Sequence, residues 1–149
     1  MGLQSDLRQF IELLNSVGVK YVIVGGYAVA FHGHPRYTGD IDFLVQVSDE
    51  NARRIEEVLR QFGFGSLGLT AGDFLKPDVI VQLGYPPYRI DILTSAAGID
   101  FDEAWNHRVS APLDGTPTHF ISRDLLLANK AAVGRTKDIA DIDAIQGRE

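Results

Sequence analysis

The sequence predicts a mixed α/β fold, an α+β arrangement in which one domain carries a mixed central sheet flanked by helices. Three observations point there. Apolar residues recur at helical spacing near both ends of the chain, and short β-branched runs stand between them. Two of those runs, VIVQL and YRIDIL, are separated only by a stretch holding Gly84, Pro86 and Pro87, which suits a hairpin and therefore an antiparallel pair. The 149 residues, 45% apolar and 23% charged, are enough for one real core, and no repeat, low-complexity tract or linker divides them. A single domain over residues 1–149 is expected.

Each element has its own signal. Leu3, Leu7, Phe10, Ile11, Leu14 and Val17 share a helical face, and Gly18 stops that helix. YVIVG follows as a buried strand, and YAVAF, opening after Gly25 and Gly26, reads as a helix leaving the strand through a glycine turn. A polar loop, HGHPRYTG, leads to the strand DIDFLVQV. Ser48 is placed to cap a helix that puts Ala52, Ile55, Val58, Leu59 and Phe62 on one face and closes at Gly63. Residues 63–78 are glycine-rich, with one short helix near Asp73 to Leu75. The hairpin comes next, then a short helix from Phe101 to Asn106 and a last strand from Thr116 to Ile121. Ser122 caps a helix that Gly134 ends, and Thr136 is expected to cap the final one.

Composition removes several chemistries. Without cysteine there is no thiolate zinc site, catalytic thiol or disulfide scaffold. The longest nearly apolar stretch, Tyr21 to Phe31, contains two glycines and falls far short of the roughly 20 residues that cross a bilayer. MGLQSDLRQF lacks the cationic head and apolar run of a secretion signal, so a cytoplasmic location is expected. Twenty acids against 14 bases, a net charge of -6, argue against an extensive basic surface for duplex nucleic acid. A small local basic site remains open.

The informative residues are carboxylates on strands. Asp40 and Asp42 are two apart, so both leave one face of a strand while Ile41 and Phe43 leave the other. Asp91, between Ile90 and Ile92, is forced onto the polar face of its own strand beside Arg89. If the two strands are neighbours, three carboxylates converge. Such a cluster repels itself unless a cation sits within it, and hard oxygen donors select Mg²⁺, or Mn²⁺, over zinc. Phosphoryl or nucleotidyl transfer is the chemistry that follows. An isolated D-x-D more often merely begins a strand, and Asp91 is what raises this one above that reading. Gly25-Gly26 after a strand fits a plain tight turn or a close backbone approach to phosphate. The H-x-H of His32 and His34 lacks further histidines nearby to complete a zinc site. Trp105 with Phe101 and Ala104 reads as core, and Arg53, Arg54 and Arg60 as a solvated helix face.

Taken together, VGGYAVAFHGHPRYTGDIDFLV resembles the signature of the DNA polymerase beta-like nucleotidyltransferase superfamily: an apolar strand, a glycine pair, then D-x-D, with thirteen residues between Gly26 and Asp40. Asp91 in YRIDIL matches the third carboxylate. LLLANKAAVGRTKDIADIDAI is similar to the closing element of small bacterial members akin to the AbiEii-type abortive-infection toxins, and the resemblance runs from residue 20 to 145.

The resemblance implies a nucleotidyltransferase fold in which Gly25 and Gly26 hold an NTP triphosphate and Asp40 and Asp42 bind Mg²⁺. Asp91 would complete the metal site and help take the acceptor's proton. Arg36 would meet a phosphate, Thr38 would donate a hydrogen bond beside it, and Lys130 and Asp138 would serve the nucleotide from the terminal helices. The implied reaction moves a nucleoside monophosphate to a hydroxyl on an RNA end, a protein side chain or a small molecule, releases pyrophosphate, and belongs to a toxin-antitoxin or phage-defence setting. Larger AbiEii-type relatives carry a helical region after the core, whereas this chain stops soon after Asp143. A homodimer or an antitoxin-type partner is therefore expected to supply the acceptor surface. The alternative is a non-catalytic nucleotide-binding or interaction protein that keeps the fold. Lys130, set in an apolar helix, is expected to have a partner, while the plainer reading of Lys130, Arg135 and Lys137 is a solvated helix end or an ion pair with Asp138 and Asp141.

Overall fold

A computed structural model describes residues 5–33, 39–85 and 88–147. Helix α1 (Ser5–Val17) leads into strand β1 (Tyr21–Val24), which runs without a loop into α2 (Gly25–Phe31). Strand β2 (Asp40–Val45) and helix α3 (Asp49–Gln61) follow, then two 3-10 turns, Gly65–Leu67 and Ala71–Phe74. The remaining elements are β3 (Ile80–Tyr85), β4 (Tyr88–Leu93), α4 (Phe101–Asn106), β5 (Val109–Leu113), β6 (Thr116–Phe120), α5 (Arg123–Val133) and α6 (Thr136–Ile145).

The six strands form one mixed sheet in the order β3-β4-β2-β1-β6-β5. β2 and β4 run parallel, as do β1 and β6, while β1–β2, β3–β4 and β5–β6 are antiparallel. The expected α/β fold with its mixed sheet is thus present.

Strand alternation sorts side chains onto two helical layers. Tyr21, Ile23, Ile41, Phe43 and Val45 join Phe10, Ile11 and Leu14 of α1 and Ala52, Ile55, Val58 and Leu59 of α3 in one core. Val22, Val24 and Leu44, one residue out of phase, pack with Ala28, Val29, Ala104, Leu126 and Ile145 in the other. Each fully buried apolar side chain of this size contributes roughly 1.5–3 kcal/mol of transfer free energy, so both faces must be covered.

Helix α3 is fixed at its start by two devices. Ser48 Oγ accepts from the Asn51 backbone N–H at 3.1 Å. The buried Asn51 amide then bonds Lys20 N–H (2.8 Å), Lys20 C=O (3.1 Å) and Gln46 C=O (2.9 Å), tying the helix to the chain beside β1 and β2.

Five local expectations change. Gly25 belongs to α2, not to the preceding strand, and Gly84 lies inside β3. Thr136 is the first residue of α6, and the cap position falls to Arg135, whose backbone N–H donates to the Asp138 carboxylate at 3.2 Å. Residues 63–78 hold two short turns instead of one. Strand β5 was not expected: it is an edge strand, largely exposed, and carries Pro112, so neither alternation nor β-branching marks it.

Candidate functional site

The site follows from strand register. β2 and β4 are neighbours, with Asp42 opposite Asp91 and Asp40 opposite Arg89. Adjacent strands lie about 4.8 Å apart, so Asp42 and Asp91 leave the same face side by side. Ile41, Phe43 and Ile92 leave the opposite face into the core of α1 and α3. The apolar residues therefore choose the face that the acids must take.

The pair is electrostatically loaded. Asp91 is 8% exposed, and its Oδ1 is buried with no hydrogen-bond partner. Burial first, and then the neighbouring Asp91 and Asp40 carboxylates, push Asp42 up to about 7, while the Lys130 charge pulls it partly back. Asp91 is also raised, chiefly by burial, against the pull of its hydrogen bond with Asp42 and of Arg89.

Asp40 stands differently. Arg89 Nη2 donates to its Oδ2 at 2.9 Å and Arg89 Nε to its Oδ1 at 3.4 Å. Among the described residues, no three acidic, histidine or thiol groups are gathered closely enough to hold a metal ion as the side chains stand. Asp42 and Asp91 fit a hard divalent cation by donor chemistry, by mutual repulsion and by the unpartnered Asp91 oxygen. Asp40 lies on the same strand face with its carboxylate turned to the guanidinium. Arg89 was passed over in sequence, although R-x-D repeats the same-face spacing of D-x-D one strand away.

Gly25 closes the other side. It follows Val24, which is opposite Asp42, and it has φ +70°. A Cβ there would lie closer to Asp42 Oδ2 than real Cβ atoms come to any atom, with Asp42 Cγ at 3.2 Å. Only glycine lets the start of α2 approach the carboxylate this closely. Gly26 is the next residue of α2 and is half-buried. Arg36, Thr38 and His34 lie outside the described residues.

Lys130 and Asp138 meet each other across α5 and α6. Lys130 Nζ lies 3.3 Å from Asp138 Oδ1 and 3.0 Å from Asp141 Oδ2, and all three side chains are almost fully buried. Asp138 also accepts from Arg135 Nε at 2.7 Å and Nη2 at 3.2 Å. With the Arg135 backbone N–H as well, these bonds engage both its oxygens and hold it down to about 2, Arg135 contributing most. The carboxylate is thus spent on the helix pair, while the Lys130 charge is felt at Asp42. His32 Nε2 lies 2.7 Å from the Ile121 carbonyl, and Trp105 stacks with Phe101 and lies under the Arg108 guanidinium.

A family model described as "Nucleotidyltransferase of unknown function (DUF6036)" matches residues 3–146. The chain belongs to this nucleotidyltransferase family. No curated protein matches it in sequence. Among solved structures, this nucleotidyltransferase is similar to a candidate nucleotidyltransferase from Thermotoga maritima, at 17% identity over 95% of this chain and 90% of the other, with a TM-score of 0.60. It is similar to lincosamide antibiotic adenylyltransferase LnuA, solved with lincomycin bound, at 14% identity over 99% of both chains and a TM-score of 0.58. An antigenic nucleotidyltransferase-like protein from Paracoccidioides brasiliensis is 21% identical over 97% of this chain and 78% of its own, with a TM-score of 0.54. At these identities the likeness is one of fold, and the fold is that of the nucleotidyltransferases. No helix among the described residues is long and apolar enough to cross a membrane.

Proposed function

We propose that the protein transfers a nucleoside monophosphate from an NTP to an acceptor hydroxyl in a Mg²⁺-dependent reaction, with Mn²⁺ able to substitute. The observation that carries this reading is the register pairing of Asp42 with Asp91, with Gly25 pressed against Asp42. Asp42 and Asp91, joined by Asp40, would hold the cation, which when bound supplies charge for the phosphates and the developing oxyanions. Gly25 and Gly26 admit the triphosphate beside the carboxylates, and Lys130 lends positive charge from the buried helix pair. Arg36 and Thr38, which precede β2 in the sequence, would meet the phosphates.

In the transfer step the acceptor oxygen forms a bond to the α-phosphorus, and the bond from that phosphorus to the bridging oxygen of the β-phosphate breaks. Pyrophosphate leaves with the bond's electron pair, and the acceptor's proton passes to Asp91 or to water.

The acceptor is an RNA end, a protein side chain or a small molecule. LnuA, whose chain has the same extent, is named for a small antibiotic, which supports placing a small-molecule acceptor first. A second copy or an antitoxin-type partner would complete the acceptor surface for the larger substrates.

The test incubates the protein with Mg²⁺ and each labelled NTP, alone and with RNA, protein extract or small-molecule pools, and follows pyrophosphate release. Turnover abolished by Asp42→Asn supports the proposal. No turnover with any acceptor, and no difference between wild type and Asp42→Asn, would sink it. Calorimetric binding of Mg-NTP without turnover would favour the binding-only alternative.

A further inference from the structure

We propose that Arg89 competes with the divalent cation for Asp40, so that loading the site requires the guanidinium to leave this carboxylate. The inference rests on the reading of Asp40, Asp42 and Asp91 as the cation's ligands.

The geometry divides the three acids into unlike sets. Asp42 and Asp91 face each other, and one oxygen of Asp91 is buried without a partner. Asp40 instead has Arg89 on both of its oxygens, through Nη2 at 2.9 Å and Nε at 3.4 Å. A fork of this kind takes the lone pairs that a cation would need, and it places a fixed positive charge beside the carboxylate that the cation would use. The three carboxylates therefore do not form a metal-ready cluster among the described residues, although the backbone aligns them on one face.

The contact is built into the sheet and owes nothing to a loop. Asp40 and Arg89 are register partners, and the Arg89 backbone N–H donates to the Gly39 carbonyl at 3.1 Å. The pair is also weak enough to exchange. Its side chains are 31% (Arg89) and 40% (Asp40) exposed, and an ion pair this open shifts an equilibrium by roughly one- to fivefold. A divalent cation bound to two further carboxylates has the stronger claim on Asp40. Released, the guanidinium remains one strand from the site, where two oxygens of an incoming phosphate offer it a new bidentate partner.

The test is a Mn²⁺ titration without nucleotide, read by the loss of free-ion paramagnetic signal, on wild type, Arg89→Met, Asp40→Asn and the double variant. Far-ultraviolet circular dichroism checks that each is folded, and Arg89→Gln stands in if the methionine variant is not. Competition predicts that Arg89→Met binds Mn²⁺ about two- to fivefold more tightly than wild type. It also predicts that the gain shrinks to less than about twofold in the Asp40→Asn background, where there is no carboxylate to compete for. Equal or weaker binding by Arg89→Met overturns the inference and makes Arg89 a support for Asp40. A gain that persists undiminished in Asp40→Asn also overturns it, since the effect is then general charge repulsion. If neither wild type nor Arg89→Met binds Mn²⁺, the carboxylate-site reading itself fails, an outcome separate from the other two.

Discussion

Replacing Gly25 with alanine tests how closely the start of α2 is packed on the acidic site. Gly25 and Gly134 share a φ of +70°, yet their surroundings differ. A Cβ at Gly134 would meet only the Ala131 carbonyl at 3.5 Å, an ordinary contact, whereas one at Gly25 would overlap the Asp42 carboxylate. The left-handed backbone costs an alanine about 1–2 kcal/mol, and the stiffer unfolded chain returns about 0.4–1 kcal/mol. Gly134→Ala should therefore destabilise by about 1 kcal/mol. Gly25→Ala adds the displacement of a carboxylate in a packed setting, an overpacking cost of about 1–3 kcal/mol, for a total of about 2–4 kcal/mol. Equilibrium urea unfolding of both variants measures the difference. Placing Gly25→Ala in an Asp42→Ala background should remove the excess and leave the Gly134-like cost. Equal losses for Gly25→Ala and Gly134→Ala, or an excess that survives Asp42→Ala, would refute the close approach.

Three other perturbations follow from the same geometry. Asn51→Ala deprives Lys20 N–H and two carbonyls of their partners, so it should cost about 2–4 kcal/mol in urea unfolding, well above the roughly 1 kcal/mol expected for Ser48→Ala. Asp138 has a folded pKa held down to about 2, so its contribution is present above its ordinary value near 3.8 and is lost as pH falls from there toward 2. Asp138→Asn should accordingly destabilise at pH 7 by roughly 2–4 kcal/mol and by much less at pH 2, read as the difference in unfolding free energy. Asp42 is pushed the other way, up to about 7, so on its account the metal-free fold is most stable below pH 4 and loses that stability as pH rises through 7. Asp42→Asn should thus stabilise the metal-free protein at pH 8 by roughly 1–3 kcal/mol and have little effect at pH 4. Equal effects at the two pH values would contradict the repulsion among the carboxylates.

Much of the site was legible because strands impose a period of two. Asp40 and Asp42 had to share a face, and Asp91 had to leave its apolar strand on the side opposite Ile90 and Ile92. Lys130, set among leucines and alanines, called for a partner and has two, Asp138 and Asp141. Strand β5 was hidden by its exposed, proline-bearing edge. Thr136 misled as a cap because the Asp138 carboxylate satisfies the backbone N–H of Arg135, one residue earlier.

The sequence by itself determined the α/β class, the helix faces, the hairpin and the identity of the three acids, since each of these depends on local periodicity. Only the tertiary structure decided that β2 lies beside β4 with Asp42 opposite Asp91, that Gly25 touches Asp42 from β1's end, and that Asp40 belongs to Arg89 in the metal-free protein. The physical reason is that a strand's own alternation chooses a face, whereas its neighbour and its register are chosen by how both faces of the sheet are buried at once.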